Sequence, residues 1–329
     1  MKDAEINKLF PIKTIIFCST QFPIDNSDLI SDESKSIKKG VDMIQNVRFM
    51  FSITILVISL LLTGCSMKEQ MVRSMDPIMD DMSSAVNMSN DVELMRDGLP
   101  ASLIQMDGFV KSAPNNKLLL KAAESYFGYS FSFVEDVNKP RASALYLKAR
   151  EYALSALRKY RQFDEQAPDL KDMLANCGKQ DVPALYWTAS SWLAWIGLNV
   201  GNPEAIMDLP KVEAMLQRVA ELDETYYYGT VHSMLGSFYA GQPKNMGGNP
   251  EKANKHFQKA FKLSGSKFLV VHLMYAKFYA VQIQDKALFV KTLNEIVATP
   301  KNSFPERNLA NEVAKRKAKD LLEKVDTLF

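Results

Sequence analysis

The chain has 329 residues, of which 47% are hydrophobic and 24% are charged, and its formal net charge at pH 7 is +2. This is the composition of an ordinary globular protein, and a chain so close to neutral has no general electrostatic attraction to nucleic acid, so we expect no nucleic-acid partner. The chain has three cysteines, at positions 18, 65 and 177, and a chain cut before Cys65 and lipidated there would keep no pair of thiols to oxidise. A disulfide framework is therefore excluded, and packing must hold the protein together.

Residues 1–42 predict no domain, because they mix charges, serines and short apolar pieces without a regular period. We interpret them as a mis-assigned or disordered extension, since Met43 begins a short basic segment directly before an apolar run. A genuine cytoplasmic extension is the alternative.

An apolar run over residues 49–62 ends in Thr63 and Gly64, directly before Cys65. It is too short to span the roughly 30 Å of a bilayer core as a stable helix, and its order of basic, apolar and small residues is typical of a signal peptide, which we place at 43–64. The small residues before the cysteine resemble a bacterial lipobox, which implies cleavage before Cys65 and lipidation of its thiol. The alternative is a short membrane anchor or a buried helix that ends in Gly-Cys.

After Cys65 the pattern is helical almost throughout, and we predict an all-α fold. Residues 65–90 form the lipidated N-terminus with a linker or first helix that begins near Pro77, and 91–329 form the main helical domain. Within it, apolar residues recur every three or four positions, which predicts helices at 116–135, 142–162, 183–199, 211–222, 228–240, 250–264, 267–283, 285–297 and 305–324. Asn249 before Pro250 is a good helix cap.

The helices resemble degenerate tetratricopeptide repeats, because small and aromatic residues recur at fixed offsets within helix pairs. The two best matches are Ser130, Ala142, Tyr146, Ala149 and Gly236, Ala253, Phe257, Ala260. Small residues let two antiparallel helices approach, and each pair must stack on the next to bury its second face, which predicts a superhelical array. An irregular helical bundle is the alternative.

In such an array, the first helix of each pair lines a concave groove. Counting from the repeat anchors, we predict a ligand-binding or pore lining formed by Phe127, Phe131, Trp192, Trp195, Ser233, Ser237, Tyr275 and Phe278. Aromatic walls with a few hydroxyls suit an apolar ligand. Equally, these aromatics could fill the centre of a tight superhelix. Among the three successive tyrosines at 226–228, at least one should reach a surface, an interface or the groove.

Nothing in the sequence predicts catalysis. The three histidines, His232, His256 and His272, fall on three predicted helices without the spacing of a metal site, although His232 and His272 could approach each other. Cys177 has no visible activating base. We therefore expect no enzyme, no metal and no cofactor other than the covalent lipid on Cys65.

The combination of lipobox, helical pairs and the segment Gly247-Gly248-Asn249-Pro250-Glu251-Lys252-Ala253 resembles the T component of tripartite ATP-independent periplasmic (TRAP) transporter systems, the TatT family. The resemblance covers nearly all of 66–325. It implies a periplasmic lipoprotein that forms a homotrimer, carries a pore or cavity, binds a small apolar or carboxylate-bearing ligand and docks a periplasmic solute-binding protein. Ser66 after the lipidated cysteine resembles the pattern of lipoproteins sent to the outer membrane, with the membrane contacted through the lipid.

A scaffold is the competing hypothesis. A tetratricopeptide-type lipoprotein could assemble envelope proteins through the same groove without any small-molecule ligand.

Overall fold

The computed structural model describes residues 27–62, 67–160 and 163–329. Packing divides the chain into two units, residues 1–65 and 66–329. In the first unit, helix α1 covers Ser27–Leu62 and contains most of the predicted signal peptide. The predicted lipidation site, Cys65, lies outside the described residues. Along the described ranges, no helix combines the length and the apolar character that crossing a membrane requires.

The described part of the second unit contains helices and no strands, which confirms the predicted all-α fold. Its helices are α2 (Met67–Ser74), α3 (Asp76–Met88), α4 (Val92–Ser112), α5 (Asn116–Tyr129), α6 (Lys139–Tyr160), α7 (Leu170–Ala175), α8 (Val182–Leu198), α9 (Pro203–Met207), α10 (Leu209–Asp223), α11 (Tyr226–Ala240), α12 (Pro250–Leu263), α13 (Leu269–Met274), α14 (Lys286–Ala298), α15 (Asn308–Leu322) and α16 (Val325–Leu328). Helices α5 and α13 continue as π-helical segments, Ser130–Val134 and Tyr275–Ala280.

Helices α4, α5, α9, α12 and α14 begin at an Asn or Asp whose side chain caps the first turn. The Asn249 side chain accepts a hydrogen bond from the backbone N–H of Lys252 at 2.9 Å, and Pro250 opens α12 as predicted. Helix α4 was not predicted, because Pro100 lies in its interior, where proline removes a backbone hydrogen bond and commonly ends a helix.

Successive helices pack side by side, with α5 on α6, α6 on α8, α8 on α10, α10 on α11 and α11 on α12. The residues that the spacing identified as anchors are buried between them, and the Ser130 hydroxyl donates to the Ala142 carbonyl at 3.2 Å. Small residues therefore bring helices together at the predicted places. The classification of the pairs as tetratricopeptide-like remains a prediction.

Gly236 provides a direct test of this close approach. A Cβ added at Gly236 would lie 2.7 Å from the ring of Phe257, which is fully buried. For Gly236→Ala, overpacking of about 1–3 kcal/mol should exceed the gain in helix propensity of about 1 kcal/mol. We expect a net loss of stability in urea unfolding. The matched control is Gly108→Ala, at an exposed position inside α4 where an added Cβ would meet no other side chain or packed helix within 4 Å. This variant should instead stabilise the protein. Equal changes in the free energy of unfolding in the two variants would contradict close packing at Gly236.

The last long helix, α15, packs against the early helices of the second unit. The Lys317 amine on α15 forms ion pairs with Glu135 and Asp136, which follow the π-helical end of α5. Arg316 donates to the Ser132 carbonyl at 2.8 Å, and Asn308 donates to the Ser89 carbonyl at 3.1 Å. The helices of the second unit are therefore closed on themselves, with α15 held against the elements at the opposite end of the array.

Candidate functional site

A cavity of about 310 Å³ lies among α3, α4, α5, α8, α11 and α15. Its lining is mostly apolar, and its volume is at the lower end of the range for small-molecule sites. The closure of the array explains its position, because helices far apart in sequence contribute facing walls. All of the lining residues belong to the second unit.

Methionines form one wall of the cavity. Met75 directly precedes α3, Met79 and Met82 lie on it, and Met106 comes from α4. Met79 is buried, whereas Met82 is 52% exposed and so connects the lining to the protein surface. Methionine side chains are unbranched and polarizable and adapt to irregular apolar shapes. This wall therefore suits an apolar chain without requiring one exact shape.

Aromatic rings form a second part of the lining, the aromatic wall. The rings of Phe127 and Phe131 lie parallel with centroids 6.5 Å apart, and Trp187 lies 5.5 Å from Phe127 and 5.0 Å from Tyr227. The π-helical segment after α5 carries Phe131, and such segments are frequent at functional sites. Interlocked rings of this kind give the wall a fixed surface, in contrast to the methionine wall.

A left-handed turn places Tyr227 in the cavity. Tyr227, Tyr228 and Gly229 have φ values of 49°, 62° and 74° inside α11. A left-handed conformation costs a residue with a side chain roughly 1–2 kcal/mol, so two successive tyrosines there must be held by their surroundings. Glycine is needed at the third position also because an added Cβ would lie 2.5 Å from the Leu263 side chain.

Hydrogen bonds hold this turn from both sides. The Thr230 hydroxyl donates to the Tyr227 carbonyl at 2.8 Å, so the Tyr186 hydroxyl, also 2.8 Å from Thr230, acts as the donor in that pair. At the other end of the side chain, the Tyr227 hydroxyl donates to Glu124 at 3.1 Å. Burial, followed by the charge of Glu124, raises the pKa of Tyr227 well above its usual value, so this hydroxyl keeps its proton.

Arg307 completes a polar cluster at the cavity. Its guanidinium lies 4.3 Å from the ring centroid of Tyr227 and 5.2 Å from that of Tyr228. One nitrogen donates to the Tyr227 hydroxyl at 3.0 Å and lies 3.4 Å from a Glu124 oxygen, while Nε is buried without a hydrogen-bond partner. Burial opposes the charge, but Tyr227 and Glu124 outweigh it and raise the pKa of Arg307, which stays cationic.

The charged residues that line the cavity are Lys121, Glu124 and Arg307. Lys121 forms an ion pair of 2.6 Å with Asp80, whose side chain is 52% exposed. Because Asp80 neutralises Lys121, Arg307 is the lining cation with the weaker pairing, a single contact of 3.4 Å with Glu124. In a mainly apolar cavity, its guanidinium is the group of the lining best suited to meet a negative charge.

The structure places the predicted lining residues in two groups. Phe127, Phe131 and Ser233 line the cavity. The residues outside this lining are Trp192, Trp195, Ser237, Tyr275 and Phe278. Trp192 is fully buried in the core, with Arg150 4.4 Å from its ring, and Tyr275 stacks on Tyr279 with centroids 4.9 Å apart.

The difference has a geometric cause. The cavity contacts residues 186–187 of α8 and residues 227–234 of α11, whereas Trp192, Trp195 and Ser237 lie nearer the C-terminal ends of these helices. In addition, Trp192 is five residues after Trp187 and faces away from it by about 140° at 3.6 residues per turn.

Sequence reasoning missed the residues that give the cavity its polarity. Glu124 and Arg307 lie 183 residues apart and meet only because the array closes, and no local spacing predicts that. The tyrosines at 226–228 were a usable signal, since Tyr227 does line the cavity. The left-handed turn that directs it there has no signature beyond Gly229.

The histidines pair differently from the prediction. His232 lies 3.0 Å from His256, nitrogen to nitrogen, because α11 and α12 pack directly, while His272 contacts the Ser266 carbonyl at 3.2 Å. Burial lowers the pKa of His256 to about 4, with His232 adding to the effect, so this ring is neutral at pH 7. Among the described residues, no group of three or more potential ligands could hold a metal ion.

Comparison with known proteins identifies relatives. The family described as TAtT: TRAP transporter T-component matches residues 88–329. A protein of Treponema pallidum (strain Nichols), described only as an uncharacterized protein, is 25% identical over 272 residues, which cover 76% of this chain and 84% of the relative. The family match includes α4 to α16, and therefore the aromatic wall, the left-handed turn and Arg307. The methionines of α3 that line the cavity precede it.

Proposed function

This chain belongs to the TRAP transporter T-component family, and from that premise we propose that its cavity binds an amphiphilic ligand with a single negative charge on behalf of a TRAP transport system. One observation carries the proposal: a mostly apolar cavity of about 310 Å³ holds the Tyr227–Arg307–Glu124 cluster in its wall. The apolar part of the ligand would lie along the methionines and rings, and its anionic group would reach Arg307.

Arg307 is suited to receive a carboxylate. Its contact with Glu124 is a single one of 3.4 Å, longer than the paired, charge-assisted hydrogen bonds that an arginine forms with a well-placed carboxylate. A ligand carboxylate could therefore form stronger bonds than Glu124 does, while the Tyr227 ring keeps the guanidinium in position.

The proposal includes the remaining features that the family resemblance implies. The protein would work in the periplasm, held to the outer membrane by a lipid on Cys65, as a homotrimer that docks a periplasmic solute-binding protein. It would act without catalysis, by holding and passing on its ligand. Native mass spectrometry of the lipidated protein would measure the oligomeric state, the mass of the lipid and any ligand retained on purification.

Arg307→Met should selectively weaken anion binding. We expect the affinity for a saturated fatty carboxylate to fall about ten- to hundredfold, because a hydrogen bond to a charged group contributes about 1.5–3 kcal/mol. The affinity for the alcohol of the same chain length should change much less. Isothermal titration calorimetry with both probes measures the difference, and circular dichroism verifies the fold.

The matched control is Arg96→Met, which removes an arginine from an exposed ion pair outside the cavity lining. It should leave both affinities unchanged. If Arg307→Met lost equal affinity for the carboxylate and for the alcohol, the proposal that Arg307 binds the anionic group of the ligand would be refuted. Failure of the wild-type protein to bind either probe, together with retained binding of a protein partner, would favour the scaffold.

A further inference from the structure

Charge is unevenly divided along the second unit. Residues 243–329 contain sixteen Lys or Arg against eight Asp or Glu, whereas 66–242 contain seventeen against twenty-three. The small net charge of the whole chain therefore conceals an acidic segment followed by a strongly basic one. Such an asymmetry attracts and orients partners of opposite charge.

Four lysines of the basic segment form a row along α12. Lys252, Lys255, Lys259 and Lys262 follow one another at intervals of three, four and three residues, and all four are exposed. These intervals place them on one face of the helix, where at 1.5 Å per residue the row extends about 15 Å.

The charges of this row are only partly neutralised within the chain. Lys259 forms an ion pair with Glu224, and the Lys252 amine lies 5.2 Å from the ring centroid of Tyr239. In the part of the chain that the structure describes, no carboxylate forms an ion pair with Lys255 or Lys262. The row therefore presents at least two lysines available to an external anion.

We propose that the lysine row of α12 is a docking surface for an acidic protein surface, with carboxylates spaced to match about three helical turns. The inference rests on the proposed docking of a solute-binding protein and names the face that receives it. None of the residues of α12 lines the cavity, so docking on this face leaves the ligand site uncovered.

A protein partner fits α12 better than a membrane. The apolar face of α12 is already occupied, since Phe257 is fully buried against Gly236 of α11. Besides the lysines, the exposed residues of the helix are Glu251 and Gln258. Helices that bind at a membrane surface insert aromatic or aliphatic side chains, and α12 has none free for this.

The test uses the full chain and a synthetic helical peptide with four glutamates at the spacing of the lysine row. Fluorescence anisotropy at two salt concentrations measures its affinity, with the glutamine version of the peptide as a blank. We expect K255E/K262E to bind the glutamate peptide about tenfold more weakly, with a smaller dependence on salt, because two attractive contacts become repulsive. A peptide with lysines in place of the glutamates should bind the variant better than the wild type.

The control K111E/K171E makes the same change in net charge at exposed lysines of α4 and α7, and should retain most of the affinity. Equal losses in both double variants would overturn the proposal, since net charge alone would then explain binding. So would loss of binding of K255E/K262E to phosphatidylglycerol vesicles while its affinity for the glutamate peptide is unchanged.

A second arm separates this proposal from the one on which it rests. The solute-binding protein of the same TRAP system is titrated against wild type and both double variants. Binding weakened only in K255E/K262E supports the docking face. Equal affinity for the wild type and both double variants would show that the partner docks elsewhere and would overturn the lysine row as the docking surface. If the wild type does not bind the solute-binding protein, the proposed docking itself is refuted.

Discussion

Lys317→Ala should destabilise the second unit by about 3–5 kcal/mol, the usual cost of removing one partner from a buried ion pair. Lys317 is 6% exposed, and its amine donates to Glu135 at 2.9 Å. Without it, the partners left to Glu135 among the described residues would be Lys277, at 3.5 Å, and the Tyr146 hydroxyl, at 2.6 Å. Because this ion pair joins the ends of the array, urea unfolding should show the full loss.

The pH dependence gives this prediction a second measurement. Burial opposes the charge of Glu135, but Lys277 and Lys317 outweigh it and lower its pKa. A lowered carboxyl pKa stabilises the folded state at pH values above the unfolded pKa of about 4.3. This stabilisation is lost as the pH falls through the pKa that Glu135 has in the folded protein. The difference in the free energy of unfolding between wild type and Lys317→Ala should therefore shrink under acidic conditions.

The control is Lys319→Ala, at an exposed position of the same helix, which should lower the free energy of unfolding by less than about 0.5 kcal/mol. A cost for Lys317→Ala no larger than that of this control would contradict closure through Lys317.

Trp192→Ala should also cost about 3–5 kcal/mol, as expected for truncating a fully buried tryptophan. The Trp192 ring has no exposed surface, and the Arg150 guanidinium packs 4.4 Å from it. Burial lowers the pKa of Arg150, so its charge is already costly where it stands, and loss of the ring would remove a favourable contact. Thermal and urea unfolding measure the change.

The same variant distinguishes a role of Trp192 in the core from a role in ligand binding. Because Trp192 does not line the cavity, the folded fraction of Trp192→Ala should bind the alcohol probe with unchanged affinity. Trp187→Ala removes a ring that does line it and should weaken that binding severalfold. If Trp192→Ala lost affinity and Trp187→Ala did not, Trp192 would line the binding groove, as the repeat spacing predicted.

Several features of the fold could be predicted from local sequence. Apolar residues at intervals of three and four predict helices wherever one face must be buried, and Asn249 with Pro250 marks a helix start through backbone hydrogen bonding. The spacing from Gly236 to Phe257 predicted a close helix contact, and the structure places these two residues against each other. Each of these features depends on residues within one helix or one helix pair.

The candidate site depends on contacts that local sequence does not encode. Glu124 and Arg307 meet across 183 residues because α15 packs back on the first helices. Tyr227 reaches the cavity through a left-handed turn that is held by tertiary hydrogen bonds and by the Arg307 guanidinium. The sequence by itself therefore determined the all-α architecture and its helix pairs, since periodicity and caps act locally. Only the tertiary structure decided which aromatic residues face the cavity and which charged residues enter it, because both follow from how the array closes.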